Sequence, residues 1–165
     1  MVMLIYHGSY AAVEKPEIRV PNRHHDFGVG FYTTTNEEQA IKYSKIVVYR
    51  EGGVPTVSSY EFDYEQARKE LKIKVFDSPN EAWFDFVCAR RMGRYKGEEY
   101  DIIYGPVAND QVYLCFAGFL AGTSTREETL KKLKTNRLYN QFTFCNERAL
   151  TYIRFVSSME VNRNE

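Results

Sequence analysis

Cysteine is scarce. The chain has three, Cys88, Cys115 and Cys145, an odd number with no CxxC pair among them. Each lies in an apolar stretch, so no disulfide framework is expected; the thiols read as reduced, mostly buried groups of a cytoplasmic protein. Neither sign of charge prevails. Lys+Arg and Asp+Glu number 22 each, so the formal net charge is zero. That removes any general attraction to nucleic acid or to an anionic membrane, though it leaves room for a local basic patch. Long apolar runs are absent too. The longest, Val112 to Ala121, is half of the about 20 residues that a membrane-spanning helix needs. The opening MVMLIYHG has no basic region followed by a long apolar stretch, which argues against a secretory signal. No internal repeat, low-complexity tract or Pro/Ser linker divides the chain. At about 150 residues per domain, its 165 residues are expected to form one domain over 1–165.

Aromatic residues are what the chain has in quantity: 13 Tyr, 11 Phe and one Trp. Tyrosine, apolar on its face and polar at its tip, fills cores but also lines ligand pockets. The patterning predicts a mixed α+β protein, with too many strands lacking helical crossovers for a doubly wound sheet. Met3–Tyr6 reads as a strand running into His7-Gly8-Ser9. A long loop follows from Ala12 to Phe27, and loops of that length in compact domains are usually functional or disordered. Gly28-Val29-Gly30 opens a strand at Phe31–Thr34. Asn36 caps a helix that reaches about Tyr49, and Ala40, Tyr43 and Val47 are expected on its inner face. Further strands are predicted at Val54–Phe62, Leu71–Phe76 (Ile73 and Val75 inward), Tyr100–Tyr104 (stopped by Gly105-Pro106), Asn140–Cys145 and Thr151–Val161. Helices are predicted at Asp63–Glu70, at Pro79–Met92 with Trp83, Phe84, Val87 and Met92 apolar, at Gln111–Leu120 (by length, although its aromatics allow a strand), after the capping box at Thr125, and after Asn146.

Several residues are candidates for chemistry. His7 ends a strand, where a ligand can reach it, and Gly8 permits close approach to the backbone. Its imidazole can also simply close the strand. Gly30 belongs to a tight strand start, and Phe31 and Tyr32 supply aromatic walls. A lone GxG is weak evidence for phosphate binding, and the full dinucleotide pattern is missing. Tyr43, eleven residues after Tyr32, can face it across a planar ligand; both can equally be core residues. Adjacent His24 and His25, with His7 and Asp26, do not have the spacing of a metal site, and no nucleophile elbow surrounds Ser9.

Taken together, HGS at a strand end, the GFYTT strand and the later tyrosine resemble the ADP-ribosyltransferase fold of the diphtheria toxin and poly-ADP-ribose polymerase type. The whole chain resembles still more a bacterial family known as domain of unknown function 3990. The stretches that carry the resemblance are IYHGS, HDFGVGFYTTTNEEQA, YDIIYGPVANDQVY and NQFTFCNERALTYIRFV, spread over residues 3–160. The resemblance implies two packed antiparallel or mixed β-sheets flanked by helices, and NAD as substrate. It implies that His7 holds the adenosine ribose, that the Gly8 backbone grips the nicotinamide carboxamide, and that Tyr32 and Tyr43 sandwich the nicotinamide ring. Ser9 is placed near the adenine. Arg19, Arg23, His24 and His25 become candidates for the pyrophosphate, a task that suits the donor fork of arginine.

The third motif position departs from the family pattern. Toxins and polymerases carry a glutamate on a late strand; the matching position here is Gln141. A carboxylate there stabilises a developing oxocarbenium ion, whereas an amide accepts a hydrogen bond without charge. This favours slow transfer of single units over chain elongation. Glu147 lies nearby, but in the first turn of a helix, where it complements the dipole. Asp101, Asn109 and Asp110 can meet an acceptor or satisfy turn backbone. Arg90 and Arg91 can face an acceptor or form a solvated helix face, and the solvated face is the expected one. The expected activity is NAD-dependent mono-ADP-ribosyl transfer to an unidentified acceptor, with a non-catalytic NAD or ADP-ribose binding module as the alternative. Resemblance further implies a small antitoxin-like companion protein.

Overall fold

A computed structural model describes residues 2–19, 26–107, 117–135 and 139–162. Its elements in chain order are β1 (Met3–Ser9), β2 (Phe31–Thr34), α1 (Glu37–Glu51), β3 (Thr56–Phe62), α2 (Tyr64–Glu70), β4 (Ile73–Val75) and α3 (Glu81–Arg91). Then follow β5 (Ile102–Val107), α4 (helical over 117–120), α5 (Arg126–Thr135), β6 (Tyr139–Phe144), α6 (Glu147–Leu150) and β7 (Ile153–Glu160). One device begins four of the helices: Asn36, Asp63, Asn80 and Asn146 each accept a backbone N–H from three residues on, satisfying a donor that the first turn would leave orphaned. At α5, Thr125 and Glu128 exchange side-chain-to-backbone bonds of 3.1 and 3.3 Å in a reciprocal capping box. α1 ends at Gly52, whose φ of 83° suits glycine.

The strands form one seven-stranded sheet in the order β4-β5-β6-β2-β1-β3-β7. This replaces the expected pair of packed sheets. β4 and β5 run parallel, bridged by the crossover that contains α3; the other neighbours are antiparallel. The sheet is nonetheless uneven. Between β1 and β3 seven residue pairs lie in register, but β1 and β2 meet only at Tyr6↔Thr34. The four strands β4-β5-β6-β2 and the three strands β1-β3-β7 thus share a narrow seam.

Alternation along the strands sorts the core onto two faces. Ile5, Phe31, Tyr60, Phe62, Ile102, Phe142 and Phe144 point to the face covered by α2 and α6. Ile103 and Tyr32 point to the other, against Trp83, Phe84 and Val87 of α3 and Leu130 and Leu133 of α5. On that same face α1 covers β1 and β3 through Ala40 and Val57.

Four local expectations change. β5 continues through Gly105-Pro106 to Val107, because Pro106 lies past the end of β4, where one flank of the strand is open and a missing donor costs little. Val75 is exposed on the edge strand, and Met92 is exposed at the C-cap of α3. Tyr43 does not lie on the inner face of α1; that place is taken by Ala40 and Ser44, and Tyr43 is 41% exposed. Gly8 explains the change. A Cβ on Gly8 would stand 2.2 Å from the Ala40 carbonyl oxygen and 2.9 Å from the Ser44 nitrogen. The α1 backbone therefore rests directly on β1, and only small side chains fit the contact. Among the described residues, no helix is long and apolar enough to cross a membrane.

Candidate functional site

The seam between β1 and β2 gathers most of the candidate residues. Beyond Tyr6↔Thr34 the ladder ends. His7, Gly8 and Ser9 on β1 and Phe31, Tyr32 and Thr33 on β2 therefore face each other without strand pairing. His7 spans the gap: its Nδ1 lies 2.7 Å from the Tyr32 carbonyl oxygen. A carbonyl only accepts, so Nδ1 carries the proton and Nε2 keeps a lone pair. Burial lowers the imidazole below its ordinary 6.5, while the bond to Tyr32 pulls the other way. At neutral pH His7 is thus an uncharged ring with an acceptor at Nε2, suited to a hydroxyl. Its orientation is fixed a second time by Phe31, whose ring stacks on it at 4.2 Å with an interplanar angle of 29°. Phe31 is itself buried and stands edge-on to Tyr60. It acts on the seam through His7.

Tyr32 points to the opposite face. Its hydroxyl accepts from the Phe27 N–H at 3.0 Å and donates to the Gly28 carbonyl at 2.7 Å. Burial, with the Asp26 carboxylate as the next cause, holds this phenol well above its usual range. The hydroxyl is thereby committed to the backbone, and the ring is what Tyr32 can offer a ligand. α1 lies on the same face. The backbone of α1 at Ala40 and Ser44 meets Gly8, and the Tyr43 ring, off that contact face, is exposed. Gln141 pairs with Thr34. By strand alternation it shares the Tyr32 face, on the neighbouring strand and two pairs along.

Glu147, the other candidate for the third position, belongs to the opposite face. It starts α6 and accepts the Ile18 N–H at 3.3 Å, which ties down the loop after β1. The same loop is held by Val13, whose N–H donates to Ser58 at 3.0 Å and whose carbonyl accepts from the Tyr60 hydroxyl at 2.5 Å. Gly30 fits tightly against β6: a Cβ would stand 2.6 Å from Thr143 Cγ2. Ser9 pairs with Thr56 at the end of β1. Arg19 is exposed and pairs with Glu17 at 3.9 Å. Asp101 takes the turn-satisfying role, accepting from the Lys72 N–H at 2.8 Å and from Asn146 Nδ2 at 2.7 Å. Arg23, His24, His25, Asn109, Asp110 and Cys115 lie outside the described residues.

Arg90 and Arg91 are the residues that sequence reasoning misplaced. Their side chains are 15% and 14% exposed, not a solvated face. Arg91 pairs with Asp26, itself 3% exposed, with Nε 2.5 Å from Oδ1. Arg90 lies over the Tyr95 ring at 3.8 Å and pairs with Glu99 at 3.3 Å. The signal available in the sequence was Asp26, a carboxylate between a basic loop and an aromatic strand start. Burial also raises the two described thiols, Cys88 to about 11 and Cys145 to about 12, which makes both poor nucleophiles. Among the described residues no group of His, Cys, Asp and Glu is arranged to hold a metal ion.

The model of a family described as protein of unknown function (DUF3990) matches residues 3–155. No curated protein and no solved structure matches the chain.

Proposed function

The chain belongs to the DUF3990 family, and from that premise we propose that it is an NAD-dependent mono-ADP-ribosyltransferase with an ADP-ribosyltransferase-like fold, its substrate bound at the seam between β1 and β2. The observation that carries the reading is the His7–Tyr32 link at 2.7 Å, made where the two strands part. It supports a neutral His7 that accepts a ribose hydroxyl at Nε2. It also sets the Tyr32 ring at a fixed height beside the unpaired end of β1. The freed edge at Gly8 would take the nicotinamide carboxamide, and Tyr43, exposed on the helix α1 that covers the Tyr32 face, would supply the second ring of the sandwich. Held in this way, the nicotinamide–ribose bond breaks with charge separation. Nicotinamide leaves with the bonding electrons, and the resulting oxocarbenium-like ribose is attacked by the acceptor, which loses a proton. Gln141 shares the Tyr32 face and would accept a hydrogen bond from a ribose hydroxyl through its amide carbonyl. Without a carboxylate to stabilise the cation, turnover would be slow.

Incubation with NAD labelled in the adenylate, together with cell extract, tests this directly. The expected result is label on an extract component and release of free nicotinamide, both lost in His7→Ala. Neither product from the native protein, at concentrations where a known transferase works, would reject the activity. Gln141 favours one second reading, a module that binds NAD or ADP-ribose without cleaving it. Saturable binding of NAD with no nicotinamide release would select that reading. A toxin role with a companion protein predicts growth arrest on expression, relieved by the companion and absent in His7→Ala.

A further inference from the structure

The loop between β1 and β2 returns to the sheet through Asp26, Phe27 and Gly28, the first held by an arginine and the other two by one tyrosine hydroxyl. Asp26 is 3% exposed and holds Arg91 of α3 through its Oδ1. Phe27 is buried in the cluster under α3, and its N–H donates to the Tyr32 hydroxyl at 3.0 Å. Gly28 turns the chain with φ of 85°, accepts from the same hydroxyl through its carbonyl at 2.7 Å, and lies over Arg90, whose Nη1 would be 3.1 Å from a Cβ there. The Arg90 guanidinium is in turn set by the Tyr95 and Phe86 rings and by Glu99. Of two successive residues of one helix, Arg91 thus holds position 26 and Arg90 lies against position 28, while one tyrosine hydroxyl joins Phe27 to Gly28.

A buried ion pair is a poor source of net stability, because desolvation offsets most of its attraction, but breaking one side leaves a costly unpaired charge. Its value lies in geometry. We infer that Asp26 and Arg91 are positioning residues: their ion pair clamps the Phe27–Gly28 turn, and the turn, through the Tyr32 hydroxyl, sets the ring of Tyr32 at the seam. The clamp rests on the NAD reading only for the identity of the ligand that the ring meets. Tyr32 then serves the ligand with its ring alone, while its hydroxyl serves the turn. The His7 bond to the Tyr32 carbonyl fixes the backbone of the same residue, so Tyr32 is held at both its main chain and its tip.

The test uses the full chain with Asp26→Asn, Asp26→Glu and Tyr32→Phe, read by amide hydrogen exchange and by calorimetric titration with NAD. Exchange at the Phe27 amide is expected to accelerate at least tenfold in Asp26→Asn and in Tyr32→Phe, with core amides of α3 unchanged. NAD affinity is expected to fall about tenfold in both, although Tyr32→Phe keeps the ring. Asp26→Glu, which retains the carboxylate, is expected to recover most of each loss. The inference is overturned if Asp26→Asn leaves Phe27 exchange and NAD affinity at native values. It is also overturned if Tyr32→Phe binds NAD as the native chain does, because the hydroxyl is then dispensable to the placement of the ring. Tyr32→Phe deletes no buried charge and decides the matter even where Asp26→Asn does not fold. A native chain that binds no NAD rejects the transferase reading, and the exchange rates alone then decide whether the clamp exists.

Discussion

The two parts of the sheet are built to different standards. β4-β5-β6-β2 is packed on both faces, by the Phe62–Phe142–Phe144 group and α2 on one and by Trp83, Phe84 and the rest of α3 and α5 on the other. In β1-β3-β7 the cover is partial. α1 lies over Gly8 and Val57, but Leu4, Val156 and Met159 are exposed, and β7 forms an open edge. That edge is interrupted: Ser59 faces Ser157 and Tyr60 faces Phe155, leaving Val156 as an extra residue. A bulge of this kind bends an edge strand and discourages pairing with another chain. Tyr32 is mounted on the heavily packed part and His7 on the lighter one. A ligand at the seam would meet both parts at once, with Tyr32 set by the packing under α3 and His7 set by Phe31 and by the Tyr32 carbonyl.

The comparison can be broken most severely on the packed side. Trp83 is fully buried and its indole N–H donates to the Pro106 carbonyl at 2.6 Å. Trp83→Ala is expected to cost about 4 kcal/mol in urea unfolding, from lost transfer energy and the cavity left behind. A loss below about 1 kcal/mol would show that the packing there is loose. On the lighter side the largest effect is expected at Gly8. Gly8→Ala places a methyl against the α1 backbone, and about 3 kcal/mol of destabilisation is expected from overpacking, with Ala40 and Ser44 amides losing exchange protection.

The seam itself gives a pH signature. Because burial lowers the His7 imidazole below its ordinary 6.5, the unfolded chain binds the proton more readily than the native one. Stability from this group is complete above pH 6.5 and declines as the pH falls from 6.5 toward the lowered native value. His7→Gln is expected to flatten that part of the stability profile; an unchanged slope would show that His7 titrates normally. The smallest effect belongs to the exposed start of β1, where Leu4→Ser is expected to change stability by less than about 0.5 kcal/mol. A loss above 1 kcal/mol would mean that Leu4 is covered.

What could be read in advance follows from what is local. Caps at Asn36, Thr125 and Asn146, and strands at Phe31 and Asn140, depend on neighbours a few residues away, and the structure has them within a residue or two. Tyr43 was misassigned because its spacing suits an apolar stripe, while the deciding fact, the contact of Gly8 with the α1 backbone, lies more than thirty residues away in the sequence. Arg90 and Arg91 looked like a solvated pair because nothing near them in sequence neutralises both. Asp26 and Glu99 reach them only once the chain has folded. The expected second sheet is one sheet with a weak seam, a distinction that rests on how far the β1–β2 ladder extends and leaves no trace in strand patterning. Gln141 and Glu147 were separated by face, which alternation along β6 and the start of α6 determine together.

The central claim is that the parting of β1 and β2 at His7 and Tyr32 is a binding site for NAD. Calorimetric titration of the native chain with NAD, beside His7→Ala, tests it most directly. Saturable binding by the native chain is expected, with at least a tenfold weaker affinity in His7→Ala and both proteins folded. No binding by the native chain, or equal binding by the two, would contradict it.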